Sequence, residues 1–153
     1  MIKITKKKIE YIFLGIALAA LSIIIIKSII AWMEEKSEEK NLLKWLGVSV
    51  AKVEATLPPG LIIEVFNKGT RTIGRTHFRL IFTIEDKILC SVNADIGNFK
   101  PQKKRTISLR CSQTDSSARY ELGRTDRVSY KLFVFPEWKK QLKPIKGEFK
   151  LKY

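Results

Sequence analysis

Residues 11–32, YIFLGIALAALSIIIIKSIIAW, form an apolar run broken by a single charge, Lys27. At about 1.5 Å per helical residue the run reaches ~33 Å, enough to cross the hydrocarbon core of a bilayer. It predicts a transmembrane helix with Tyr11 and Trp32 as interfacial anchors and Lys27 snorkelling to the headgroups. Residues 34–41, EEKSEEKN, are polar all round and continue the helix as a solvated stalk over residues 33–47. Leu42, Leu43, Trp45 and Leu46 form an apolar patch at its far end, which either docks on the domain that follows or lies at the lipid interface. Pro58-Pro59-Gly60 then stops any helix and permits a turn.

Beyond that break the hydrophobic period falls to two. Leu61, Ile63 and Val65 alternate with Ile62, Glu64 and Phe66, and Asn67-Lys68-Gly69 makes a turn. Phe78, Leu80, Phe82 and Ile84 alternate with His77, Arg79, Ile81 and Thr83, a half-buried strand. Glu85-Asp86-Lys87 turns the chain into ILCSVNADI, a hairpin partner. Ile107, Leu109 and Cys111 share one face of a further strand. Val128, Tyr130, Leu132 and Val134 repeat the pattern, as do Phe149, Leu151 and Tyr153. With residues 48–55 as a first strand, the count is about seven. Short strands separated by turn signals predict an all-β domain over residues 48–153, an antiparallel sandwich of immunoglobulin-like architecture behind the membrane helix.

Charge fixes the expected orientation. Lys3, Lys6, Lys7 and Lys8 precede the apolar run against a single Glu10, whereas glutamates dominate the residues just after it. Basic short loops stay cytoplasmic, so residues 1–10 are expected inside as a basic tail and residues 33–153 outside, on an inner membrane crossed once. The rival reading is a cleaved signal peptide, with Ala17 and Ala19 in small-x-small spacing. The run exceeds the usual 7–15-residue core of such a signal, and a cut there would expose LSIIIIKSIIAW, which favours an uncleaved anchor. No cysteine stands in a lipobox position.

Of the chain's formal net charge of +14, residues 61–153 carry +11, with 20 Lys and Arg against 9 Asp and Glu. An excess of that size outside the cytoplasm disfavours nucleic acid. It suits anionic headgroups, acidic proteins or wall polymers, and it equally serves plain solubility. Cys90 and Cys111 fall in the outer domain, in phase with Val92 and Ala94 and with Ile107 and Leu109 respectively. Both point to the core, and an oxidising compartment permits a disulfide. Parity leaves open whether the sulfurs meet or remain two buried thiols.

Phe82-Thr83-Ile84-Glu85-Asp86 resembles the F-x-L-Y-D signature of FxLYD-type bacterial domains, with Ile for Leu and Glu for Tyr. VFNKGTRTIG is similar to their strand–Asn–turn segment and FKPQKKRTISL to their basic edge, although Gln102 replaces the usual glycine. The resemblance covers roughly residues 61–112. It implies a small extracytoplasmic sandwich, often behind one membrane helix, with no catalytic residue to carry over.

Catalytic and cofactor chemistry find little footing. One histidine, His77, sits on the outward phase of its strand and is expected as a surface imidazole. One histidine and two cysteines leave no cluster of metal-ligand spacing, and neither G-x-x-x-x-G-K-[ST] nor G-x-G-x-x-G occurs. Glu85-Asp86 fit a turn better than a carboxylate pair in a cleft. Ser49-Val-Ala-Lys52 matches S-x-x-K but lacks the partner motifs of Ser/Lys hydrolases. No enzyme, cofactor, metal or small-molecule substrate is expected.

The outward phases hold the sharper signal. Ile62, Phe66, Ile81, Phe133 and Phe135 stand where polar residues are expected, and would make a patch for a partner unless the stalk or the KPIKG loop covers them. Trp138, among lysines in PEWKKQ, joins them as a contact candidate. The expectation is a non-catalytic accessory or assembly subunit of a membrane complex, bound through its sandwich to a protein partner. The alternatives are a binder of anionic lipid or wall polymer and, more remotely, a membrane-bound hydrolase using Ser49 and Lys52. Gly15, Ala17, Ala19, Ala20 and Ser22 add a small-residue face for helix packing.

Overall fold

The computed structural model describes residues 6–112, 122 and 124–152. Lys3 and Tyr153 lie outside them. Two compact units emerge, Met1–Glu38 and Glu39–Tyr153.

The first unit is helical. Helix α1 spans Lys6–Trp45, and the large apolar side chains from Tyr11 to Met33 are all half exposed or more. A stretch apolar all round finds no partner within its own unit, and it is long and apolar enough to cross a membrane. Its hydroxyls return to the backbone: Ser22 Oγ donates to the Leu18 carbonyl and Ser28 Oγ to that of Ile24, each at 2.9 Å. Lys36 Nζ lies 3.8 Å from the Trp32 ring centre, so a cation covers the aromatic at the end of the run.

In the second unit, seven strands follow: β1 (Leu46–Glu54), β2 (Gly60–Asn67), β3 (Thr76–Ile84), β4 (Lys87–Ile96), β5 (Lys104–Arg110), β6 (Arg127–Phe135) and β7 (Ile145–Lys150). They form two antiparallel sheets, β1-β2-β5 and β4-β3-β6-β7. The alternation at Leu61/Ile63/Val65 and at Phe78/Leu80/Phe82/Ile84 turns one face of each sheet inward, where these side chains are fully buried. Val128, Leu132 and Val134 join them in one hydrophobic core. Leu42 and Leu46 are buried in the same core, so the apolar patch at the end of the expected stalk belongs to this unit.

Glu85 and Asp86 both take positive φ, 45° and 65°, the two-residue hairpin geometry whose twist matches the flanking strands. A bulge between Phe82 and Thr83 in the β3–β4 register then moves the pairing by one residue, to Phe82↔Cys90 and His77↔Asp95. Without that shift Asn93 and Ser91 would face the core in place of Val92 and Ala94. Gly147 sits where a Cβ would come within 2.5 Å of the Tyr130 hydroxyl, so β7 passes close under that ring.

Cys90 and Cys111 form a disulfide, both sulfurs buried, with Cα atoms 6.3 Å apart. It joins β4 of one sheet to the residue following β5 of the other. A closed loop of this size stabilises by about 3 kcal/mol, chiefly through the unfolded chain.

Strand directions sort the connections to two ends. Residues 39–45 arrive at the end that carries 68–75, 97–103 and 136–144. The opposite end carries 55–59, the Glu85-Asp86 turn and the close of β5 and β7.

Candidate functional site

The densest set of polar and aromatic contacts lies at the first of these ends, on the outer side of the four-stranded sheet. His77 stands opposite Asp95 on β4 and Phe135 on β6. His77 Nδ1 lies 3.0 Å from Asp95 Oδ1. An ionised carboxylate only accepts, so Nδ1 carries the proton and donates. Arg75 Nη2 donates to the other Asp95 oxygen at 2.8 Å. These bonds, that from His77 above all, hold the Asp95 carboxyl below its ordinary value against the opposing effect of burial.

Beyond Phe135 the chain enters a single 3-10 turn, Pro136–Trp138. Glu137 and Trp138 take φ of 50° and 58°, a left-handed conformation that costs a side-chain-bearing residue about 1 kcal/mol or more. Two contacts hold the turn there. Trp138 stacks on His77 with ring centres 4.1 Å apart and planes 23° from parallel. Glu137 reaches the β2–β3 connection, accepting from Arg71 Nη1 at 2.7 Å, from Arg71 Nη2 at 3.3 Å and from the Gly74 N–H at 2.9 Å. Arg71, with Gly74 and Lys139 assisting, holds the Glu137 carboxyl below its ordinary value while burial pulls the other way.

Asn67 fixes the loop that carries Arg71. It is wholly buried; its Nδ2 donates to the Arg71 and Phe99 carbonyls, each at 2.8 Å, and its Oδ1 accepts from the Gly69 N–H at 2.9 Å. Gly69 lies against Trp45, where a Cβ would come within 2.5 Å of the indole, and the Arg71 guanidinium sits 5.7 Å from that ring. Gln102 takes φ 55°, the left-handed geometry glycine favours, and its Nε2 donates to the Lys68 carbonyl at 3.1 Å. The result is a braced mount that presents Trp138, 55% exposed, to solvent.

His77 is therefore not the surface imidazole its strand phase implies. It faces outward, but Trp138 covers it and its side chain is only 15% exposed. Sequence reasoning missed Arg71, Asp95 and Glu137. His77–Asp95 becomes visible only with the bulge, since an unbroken hairpin register pairs His77 with Ala94.

The outward apolar residues divide between two surfaces and do not form one patch. Ile62 and Phe66 lie on β2, on the outer face of the three-stranded sheet. Ile81, on β3, and Phe133 and Phe135, on β6, lie on the outer face of the other. All five are half-buried, leaving Trp138 as the exposed member of the set. Around Phe66, Lys104 pairs with Glu64 at 2.7 Å.

A bulge between Val50 and Lys52 brings Ser49 and Lys52 to the same outer face of β1. Ser49 borders an open depression of about 400 Å³ with Glu64, Phe66, Lys68 and Lys104. Lys52 borders a different one, with Glu54, Arg110 and Lys152. Among the described residues no three His, Cys, Asp or Glu side chains converge on a point that could hold a metal ion.

No protein-family model matches the chain. No curated protein matches it either. Among solved structures it is similar to a β-glucuronidase of Bacteroides uniformis, at 12% identity over 71% of this chain and 13% of that one, TM-score 0.47. It is also similar to an Arabidopsis thaliana protein, at 11% identity over 70% and 78% of the two chains, TM-score 0.46. A red sea bream transglutaminase aligns at 11% identity over 71% and 16%, TM-score 0.47. The chain spans a small fraction of either enzyme's length, and their activities are not carried over.

Proposed function

We propose that this chain is a single-pass membrane protein whose immunoglobulin-like sandwich works by binding, as an accessory or assembly subunit of a larger membrane complex. Residues 11–32 anchor it in a cytoplasmic membrane, the basic amino-terminal residues stay inside, and the sandwich lies outside. The observation that supports this reading is the pair of outer sheet faces. Each carries large apolar side chains where a self-sufficient sandwich would carry polar ones: Ile62 and Phe66 on one, Ile81, Phe133 and Phe135 on the other. Tethering to the bilayer raises the effective concentration of such faces near a membrane partner, so modest affinity suffices. No catalytic step is assigned to Ser49 and Lys52.

Native electrophoresis of the full chain extracted in mild detergent tests the reading. An assembly larger than the chain, reduced by Phe133→Ser or Phe66→Ser in protein that still folds, is the expected result. A chain migrating alone overturns it. Mass spectrometry of the same extract separates anchor from signal: the intact 17.6 kDa chain supports the anchor, and a shortened one removes it.

A further inference from the structure

The end of the sandwich at which residues 39–45 arrive is also its basic end. The Lys68 N–H donates to the Trp45 carbonyl at 2.7 Å, which ties that arrival point to the β2–β3 connection. The three connections there, 68–75, 97–103 and 136–144, hold eight Lys and Arg against one acidic residue. That acid, Glu137, is already occupied by Arg71 at 2.7 Å and, more loosely, by Lys139 at 3.9 Å. At the opposite end the described connecting residues hold two basic and three acidic groups. Across the basic end, Trp138 stands exposed beside Lys139, Lys140 and Lys143. An amphipathic ring held rigidly among cations matches the chemistry of a phosphate-bearing headgroup layer.

The length of the tether makes this geometry usable. Seven Cα-to-Cα steps lead from Trp32, where the apolar run ends, to Glu39, where the sandwich unit begins. By any path they reach at most about 25 Å. We infer that the basic end docks on the anionic headgroups of the bilayer that holds α1, with Trp138 at headgroup depth and Lys139, Lys140 and Lys143 pairing with lipid phosphates. The inference rests on the anchored reading above. Docking by an end leaves both outer sheet faces uncovered for a protein partner.

The test uses the full chain, labelled with 5-fluorotryptophan and reconstituted in nanodiscs of zwitterionic lipid or of the same lipid with one-third phosphatidylglycerol. Trp138→Phe assigns the Trp138 fluorine signal, and Trp32 serves as an internal reference. In anionic discs, paramagnetic headgroup-labelled lipid should broaden the Trp138 signal, and 0.5 M salt should reverse the effect. A basic residue near an anionic surface is worth about fivefold in occupancy, so the combined Lys139→Gln, Lys140→Gln and Lys143→Gln variant should lose on the order of a hundredfold. Equal broadening in the two lipids, or no loss in the triple variant, overturns the docking. Inorganic phosphate reproducing the change in zwitterionic discs would identify a free-phosphate site and overturn the lipid assignment. Failure of the chain to co-migrate with zwitterionic discs overturns the anchored reading and the docking with it.

Discussion

At the basic end of the sandwich the connections are joined through side chains. Asn67 ties its own loop to Arg71 and Phe99, Arg71 grips Glu137 across the sheets, and His77, Asp95 and Trp138 close the outer side. At the opposite end the sheets are joined covalently and through the main chain, with Arg110–Glu54 an ion pair within the three-stranded sheet. Cys90–Cys111 links the sheets, while the Lys152 N–H donates to the Ala55 carbonyl at 2.7 Å and the Leu151 N–H to that of Asp126 at 2.9 Å. Two carboxyls held below their ordinary values, Asp95 and Glu137, lie at the first end, and the disulfide lies at the other. A surface meant to meet a partner needs shaped, charged side chains, and those must be braced by other side chains.

The largest expected effect is at Asn67. Asn67→Ala removes three buried hydrogen bonds and takes the side-chain acceptor from the Gly69 N–H, at a cost of about 4 kcal/mol. Urea unfolding of the full chain in detergent measures it. A loss under about 1 kcal/mol would mean that water replaces the amide and that the basic end is not braced from within. Reduction of the disulfide, or Cys111→Ser, should cost about 3 kcal/mol through the unfolded state. The two changes sit at opposite ends and share no partner, so their effects should add to within about 0.5 kcal/mol. Marked non-additivity would show that the ends are not independent.

Third in size is Glu137. Glu137→Gln keeps shape but weakens charge-assisted bonds to Arg71, costing about 1.5 kcal/mol. Because the folded carboxyl lies below its ordinary value of 4.5, the stabilisation is present above that pH and lost as the pH falls through and beneath it. The wild-type chain should destabilise in acid more steeply than Glu137→Gln. Parallel pH profiles would sink the assignment.

How much of this was open to sequence reasoning depends on the range of the forces involved. Strands such as β3 and β6 follow from alternation alone, since burying one face needs only period two. Cys90 and Cys111 could be given inward phases, but whether they met depended on which strands became sheet edges, and that is set by packing over long range. The division of the outward apolar residues between two faces is hidden for the same reason: parity assigns a side, not a sheet. Local turn chemistry signalled a hairpin at Glu85-Asp86, yet the bulge beside Cys90 left no sequence mark. It is that one-residue shift that puts Asp95 opposite His77. Asn67 reads as an ordinary turn residue; its three-way bonding requires Phe99, brought in by the isolated Ile73↔Phe99 bridge. Glu137 and Trp138 in left-handed backbone run against their own propensities, as residues held by surrounding contacts often do.

The smallest predicted effect sharpens the contrast, because each end has an Arg–Glu pair of similar length. Arg71–Glu137 spans 2.7 Å with side chains 34% and 17% exposed, and Arg110–Glu54 spans 2.8 Å with 54% and 19%. Distance alone would make them equal. They differ in what else the carboxylate holds: Glu137 also accepts the Gly74 N–H and fixes a left-handed turn, whereas Glu54 receives both of its bonds from Arg110 on an exposed strand edge. Glu54→Gln should therefore cost about 0.5 kcal/mol, and 0.5 M salt should erase most of that difference by screening. Glu137→Gln should keep more of its cost in the same salt, since the Arg71–Glu137 pair is less exposed, and so less screened, than Arg110–Glu54. Equal costs for the two variants, with equal salt dependence, would show that the basic end is no better braced than its opposite.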